Sequence, residues 1–190
     1  MTLLRYAAFQ VVWFAAVLGA AGGSPWLGLV AGLAFVGLQV TLLARDRRAS
    51  ELVLITAAVF AGVAFESLYG FLGVVRYGAG WDLTGLALDA RVAPPWILGL
   101  WAALAACASN LFAWLRGRVL LAAVIGAVGG TLSLRAGASF GALELGPPAL
   151  WIPAVAGEWA LLFPLLVEAP ARLRNRTKGP ERIAGPGTAG

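Results

Sequence analysis

Six long apolar runs with short breaks between them constrain this chain more than any other feature of its sequence. A membrane-spanning helix needs about 20 mostly apolar residues, and every run comes close to that length or exceeds it. Hydrophobic residues make up 61% of the chain and charged residues 12%, whereas soluble domains have about 45–50% and 25%. We therefore predict an all-α polytopic membrane helix bundle. Its six transmembrane helices are expected at Leu4–Ala21, Trp26–Ala44, Leu52–Val75, Trp96–Leu115, Val119–Leu143 and Leu150–Val167.

The segments between the runs have the composition of loops, and the last residues that of a tail. Glycine, proline or charge interrupts the apolar pattern at GGSP, RDRRASE, RGR and ELGPP. Six helices use about 120 residues, which leaves no room for a second domain in a chain of 190. We expect a transmembrane domain at residues 1–169 and a basic, Gly/Pro-rich, disordered cytoplasmic tail at residues 170–190. The longest loop, residues 77–95, predicts an interfacial anchor or a lid over the bundle.

The first run has an alternative interpretation as a signal peptide. One arginine precedes an apolar stretch that ends in AAGGS, which is the order of parts in such a peptide. However, Gln10 and Trp13 interrupt the stretch, and a second apolar run follows almost at once. These features favour a retained membrane span.

Basic residues predict the orientation, because cytoplasmic loops of membrane proteins are enriched in Lys and Arg. With six spans, both termini and the second and fourth loops share one side, which collects eleven of the fourteen basic residues. We therefore expect both termini to be cytoplasmic. The net charge of +5 then reflects topology and contact with anionic membrane lipids, not nucleic-acid binding. The eleven residues are Arg5, Arg45, Arg47, Arg48, Arg116, Arg118, Arg172, Arg174, Arg176, Lys178 and Arg182.

Two features of the composition restrict the chemistry. The chain contains no histidine, which excludes His-ligated haem, His-containing zinc sites and Ser–His proteolysis. Its single cysteine, Cys107, lies in an apolar run and can form neither an internal disulfide nor a paired-cysteine metal site. We expect Cys107 to be a small buried residue, and we expect no metal and no cofactor. Any enzymatic chemistry would use carboxylates, arginine, hydroxyls, amides or a bound cofactor.

Three ionisable residues lie well inside the spans, where such groups are costly and usually mark function. Glu66, Arg135 and Glu158 each fall about 9–12 Å below the outer surface at the rise of an α-helix, so they share one layer. We expect Arg135 to bridge one or both carboxylates, with a proton or Arg76 neutralising the remaining charge. The layer is either a buried ion pair that ties three helices together or a catalytic or substrate-binding site. A third interpretation has these side chains reaching outward to the interface.

A second polar layer is expected near the inner face. Gln10, Gln39 and Asn110 each lie about 8–9 Å from the cytoplasmic end of their spans. They are candidates for substrate binding, although interhelical hydrogen bonds account for the layer adequately. The fifth run has two pairs of small residues at a spacing of four, which lets helix backbones approach closely. These are Gly126 with Gly130 and Gly137 with Gly141, and they predict that the fifth helix lies at the bundle centre.

Three segments resemble an uncharacterised bacterial inner-membrane family, domain of unknown function 2878. They are QVVWFAAVLGA at the start, PPWILGLWAALAACASNLFAWL in the fourth run and GAVGGTLSLRAGASFGAL in the fifth. The resemblance covers roughly residues 3–168 and implies a small multi-pass protein of the cell inner membrane, associated with lipid-modifying enzymes. Relatives are expected to have a proline in the fifth run where this chain has Gly130-Thr131. The family assigns no functional residues.

The sequence leaves three functions open. The first is the handling of a lipid or isoprenoid, as an enzyme component or an accessory partner of lipid modification. A non-catalytic role is favoured; a catalytic one would use metal-independent acid–base chemistry at the charged layer. The second is the substrate-binding subunit of a small-molecule transporter, for which Ala16 and Ala20 offer a docking face to a membrane protein partner. The third is a structural assembly factor of a membrane complex.

Overall fold

The computed structural model describes residues 2–78 and 91–177. Within these residues the chain forms six α-helices, a single 3-10 turn at Ala113–Leu115 and two short β-strands. The predicted helical fold is therefore confirmed, with the strands as an addition. The elements are α1 (Thr2–Ala21), α2 (Trp26–Thr41), α3 (Arg45–Leu72), β1 (Val75–Tyr77), α4 (Pro95–Leu111), α5 (Val119–Ser139), β2 (Leu143–Leu145) and α6 (Pro148–Thr177).

Four of these helices, α1, α3, α5 and α6, are long and apolar enough to cross a membrane. Large apolar side chains on their outer faces are exposed, such as Phe60 at 73% and Leu120 at 83%. Exposed apolar surface on this scale is compatible with lipid and not with water. The protein is therefore a multi-pass membrane protein. Helices α2 and α4 are also apolar but shorter, at 16 and 17 residues.

Two helix ends differ from the expected spans. Helix α3 begins at Arg45 instead of Leu52, because Asp46 in its first turn complements the helix dipole and the charged residues that follow continue the helix. Its other end is set by Gly73, which has a φ of 71° and lets Val74 N donate to Tyr69 O at 2.9 Å. Such a left-handed glycine is a common way to end a helix.

Helix α6 extends beyond the boundary that the sequence suggested for the transmembrane domain. It continues past Pro170 to Thr177, so the first part of the predicted tail is helical. Residues 178–190 lie outside the described residues. The same holds for residues 79–90, so the expected lid or interfacial anchor at residues 77–95 stays a prediction.

Helix α4 lies at the centre of the bundle and packs against α1, α2, α3 and α6. The expectation that α5 would lie there is wrong. Helix α4 can occupy this position because its buried side chains are small. Ala103, Ala105 and Cys107 are fully buried and allow the neighbouring helices to approach closely. Helix α5 packs mainly on α6, so it lies at the periphery of the described bundle.

The two strands pair in antiparallel fashion at one end of the bundle. Their register places Val75 opposite Leu145, Arg76 opposite Glu144 and Tyr77 opposite Leu143. The pairing holds the C-terminal ends of α3 and α5 together. At the other end of the bundle, Glu168 on α6 accepts a hydrogen bond at 2.6 Å from the backbone N–H of Gly117, which follows α4.

The contact between α2 and α4 yields a stability prediction. A Cβ atom added at Gly32 would overlap backbone atoms of Gly99, whereas one added at Gly37 on the same helix would meet nothing within 4 Å. We expect Gly32→Ala to destabilise the protein by about 1–3 kcal/mol, because overpacking forces helices apart, and Gly37→Ala to cause no loss. Thermal unfolding in detergent measures both. Equal midpoints for the two variants would show that this close helix contact does not contribute to stability.

Candidate functional site

A cavity of about 470 Å³ lies between α1, α4, α5 and α6. Ligand-binding pockets typically have volumes of about 300–1,000 Å³. Its walls are mainly aromatic and aliphatic, and Glu66 is the one charged side chain among the described residues that line it. We call it the aromatic cavity. Its aromatic lining consists of Tyr6, Phe9, Trp13, Phe14, Trp96, Trp101, Phe112, Trp159 and Phe163.

The aromatic cavity exists because α1 and α5 approach each other through side chains and not through backbone packing. Trp13 Nε1 donates to Ser133 Oγ at 2.9 Å, and the Phe140 ring packs edge-on against Trp13 at 6.1 Å. Beside this contact, two residues of the cavity wall, Phe14 and Leu132, are 45% and 60% exposed. The cavity therefore opens sideways between α1 and α5, toward the surrounding membrane.

Glycines of α5 shape one wall of the aromatic cavity. A Cβ atom at Gly130 would collide with the Trp159 ring, so α5 and α6 are in close contact there. The Gly126–Gly130 pair thus packs helices as the sequence predicted, whereas Gly141 has a φ of 85° and lies in the turn after α5. An added Cβ at Gly129 would meet nothing within 4 Å, since this position faces the open side of the cavity.

Glu66 on α3 is held by a hydrogen bond from the strand β1. The Tyr77 hydroxyl donates to Glu66 Oε2 at 2.5 Å, and both side chains are buried. The pleat of β1 points Tyr77 inward and Arg76 outward. Burial, and to a lesser extent the nearby Glu66 carboxyl, raise the pKa of Tyr77 well above its usual range. The phenol therefore stays protonated and serves as the donor.

Glu158 on α6 is equally buried, at 5% exposed, but it lacks such a donor. Tyr69 lies beside it, yet its hydroxyl donates to Ala154 O at 2.9 Å. Among the described residues, neither carboxyl oxygen of Glu158 has a hydrogen-bond partner. Glu158 and Glu66 are close enough to interact electrostatically. We call these two residues the carboxyl pair.

Arg135 does not join the carboxyl pair, so the expected bridge is absent from the described part of the chain. Its side chain is exposed on α5, and it makes no ion pair with a described residue. The reason is the peripheral position of α5, whose Gly126–Gly130 face packs on α6 and leaves Arg135 on another face. Tyr77 provides the donor to Glu66 that we had expected from Arg135.

The inner polar residues are not grouped into one layer. Gln10 lines the aromatic cavity and its Nε2 donates to Tyr6 OH at 3.3 Å. Gln39 is buried on α2, and Asn110 is exposed near the end of α4. Of these three candidates for substrate binding, only Gln10 lies at the cavity.

Several residues of the site were missed by the sequence reasoning. Trp101 and Trp159 stack with ring centroids 5.1 Å apart, and both lie in the middle of helices. Their position was a usable signal, because tryptophans of a membrane protein are enriched at the interfaces. Trp96 also lines the cavity, and its buried Nε1 has no hydrogen-bond partner among the described residues.

The long apolar helices and the aromatic cavity between them define a small multi-pass membrane protein with an internal cavity. The chain belongs to the family described as "Protein of unknown function (DUF2878)", whose model matches residues 2–165. This confirms the resemblance noted in the sequence. No curated protein and no solved structure matches the chain.

The hydrogen bond between β1 and α3 yields a second stability prediction. Tyr77→Phe removes the donor and leaves Glu66 Oε2 buried without it, which we expect to cost about 1–3 kcal/mol. Tyr6→Phe is the matched control, because Tyr6 is exposed and its hydroxyl only accepts a weak bond from Gln10. Thermal unfolding in detergent compares the two. A Tyr77→Phe variant as stable as Tyr6→Phe would contradict the assigned role of Tyr77.

Proposed function

We propose that this protein binds a hydrophobic molecule, a lipid or an isoprenoid, in the aromatic cavity. The observation that carries the proposal is an apolar cavity of about 470 Å³ with a polar end at Glu66 and an opening between α1 and α5. A molecule dissolved in the bilayer can enter such an opening without crossing water. The protein would act as a component or an accessory partner of lipid modification.

The polar end of the cavity determines which molecule is selected. A lipid tail gains little hydrophobic free energy on moving from the bilayer into an apolar cavity, because both surroundings are equally apolar. Selectivity must therefore come from shape and from polar contacts. The wall offers an acceptor at Glu66 and an unpartnered donor at Trp96 Nε1. A ligand with a long apolar part and one polar end matches this wall.

Binding is favoured over catalysis at this site. The acid–base mechanism considered from the sequence used a glutamate as general acid and Arg135 to stabilise developing negative charge. Arg135 is exposed on α5, away from the carboxyl pair. The described polar side chains around the pair, Tyr69, Tyr77 and Trp101, carry no positive charge.

The membrane arrangement that we propose has six spans in the cell inner membrane, with both termini cytoplasmic. Helices α2 and α4, of 16 and 17 residues, are about 24–26 Å long. They approach the thickness of about 27 Å found for thin bilayers. The basic residues at the start of α3 and after α4 lie at helix ends and favour the cytoplasmic side for those ends.

The docking face that favoured the transporter alternative is not available on the surface of the bundle. Ala16 and Ala20, expected as a docking face for a partner, are buried inside the bundle. Ala16 lies directly against Gly28 of α2, where an added Cβ would come within 2.7 Å of the Ala16 Cβ. The pair therefore packs α1 against its own neighbour.

Blocking the cavity tests the proposed function. Gly129→Leu places a side chain at the open side of the cavity, and Gly37→Leu places the same side chain at an equally open position on α2, away from the cavity. We expect Gly129→Leu to lose most of the hydrophobic molecule that co-purifies with the protein, and Gly37→Leu to retain it. Native mass spectrometry from lipid nanodiscs measures the bound fraction. Equal occupancy of both variants, or none in the unmutated protein, would contradict cavity binding.

Single cysteines test the proposed topology. In a Cys107→Ala background, we place one cysteine at Ser24, between α1 and α2, or at Ala44, between α2 and α3; both positions are exposed. A membrane-impermeant thiol reagent applied to intact spheroplasts is expected to label Ser24→Cys, and to label Ala44→Cys only after the membrane is permeabilised. Labelling of both positions from the same side would show that α2 does not cross the membrane.

A further inference from the structure

We infer that the ligand of the aromatic cavity is a long-chain amphiphile with a cationic amino group, which Glu66 binds while the tail lies among the aromatic side chains. This inference rests on the proposed function and adds the charge of the ligand's polar end. It follows from the carboxyl pair and from the electrostatics of the cavity wall.

No cationic side chain among the described residues faces the carboxyl pair. Tyr69 and Tyr77 from α3 and β1, and Trp101 from α4, are the polar side chains that face the two carboxyl groups. None of these side chains is cationic. Arg135 on α5 is exposed and contacts neither carboxyl group.

Glu158 is a second buried acid beside this end of the cavity. Both of its carboxyl oxygens are buried and lack a hydrogen-bond partner among the described residues. A buried carboxylate is unfavourable unless a positive charge or a donor compensates it. Glu158 does not line the cavity, but it lies within electrostatic range of Glu66, which does. A cation bound at Glu66 would therefore stabilise both members of the pair.

The cavity wall disfavours negatively charged ligands. Among the described residues that line it there is no lysine or arginine, and the one carboxylic acid is Glu66. A fatty acid or a lipid phosphate would place a negative charge beside a negative charge in surroundings of low dielectric constant, where repulsion is strong.

Three photoreactive probes of equal length test the ligand class: hexadecylamine, hexadecanol and hexadecanoic acid, each with a diazirine at the same carbon. They are added to the full chain in phosphatidylcholine nanodiscs at neutral pH, and labelled peptides are mapped by mass spectrometry. We expect the amine to label residues of α1 and α5 at the cavity about tenfold more than the alcohol, because of its attraction to the Glu66 carboxylate, and the acid to label least. A comparison within the unmutated protein does not depend on any variant folding.

Two variants, each lacking one carboxylate, show which residue causes the preference for hexadecylamine over hexadecanol. Glu66→Gln is expected to abolish the advantage of hexadecylamine over hexadecanol, because the amide carries no negative charge. Glu144→Gln is the matched control, because Glu144 is an exposed carboxylate on β2 outside the aromatic cavity, and it should keep the advantage.

The outcomes separate this inference from the proposed function. Equal labelling by amine and alcohol, a preference for the acid, or an amine preference that survives in Glu66→Gln would overturn the cationic ligand while the cavity remains a binding site. No labelling of the cavity by any of the three probes would overturn both.

Discussion

A carboxyl group inside an apolar bundle is costly unless a donor, a positive charge or a proton compensates it, and at Glu66 the Tyr77 hydroxyl is that donor. The bond, 2.5 Å long, fixes strand β1 against α3. Strand β1 pairs with β2, and β2 follows directly after α5. This one polar contact thus anchors the C-terminal end of α5. Elsewhere on its length, α5 is joined to α1 by the Trp13–Ser133 hydrogen bond and by aromatic side chains. The aromatic cavity is the space that this arrangement leaves open.

Small residues serve two opposite purposes in the bundle. In α2 and α4, glycine and alanine bring backbones together, as at Gly32 and Gly99, and replace the hydrophobic driving force that is absent within lipid. In α5, Gly130 packs against Trp159, whereas its neighbour Gly129 leaves open space at the cavity. The same residue type therefore closes one face of α5 and opens another. This division makes α5 a wall of the site and not the centre of the bundle.

The sequence predicted the helices and two residues of the site well, and the arrangement around them poorly. Apolar runs determine helices because hydrocarbon requires every backbone group to be paired, and buried acids such as Glu66 and Glu158 are conspicuous in such runs. The position of Arg135 was not predictable, since the apolar residues of α5 are spread around the helix and hydropathy does not show which face packs inward. The three-residue strands were missed because strands this short give no periodic signal. Without them, the Tyr77 donor could not be placed beside Glu66.

A density map of the unmutated protein in nanodiscs of its native lipids would show whether a ligand occupies the aromatic cavity. We expect elongated density between α1 and α5 that reaches from the bilayer to Glu66 and ends in a polar group beside the carboxyl pair. A map in which α1 and α5 close upon each other and leave no room at Gly129 would contradict it. Open space filled only by the mobile density of bulk lipid, with no contact at Glu66, would also contradict a selective binding site.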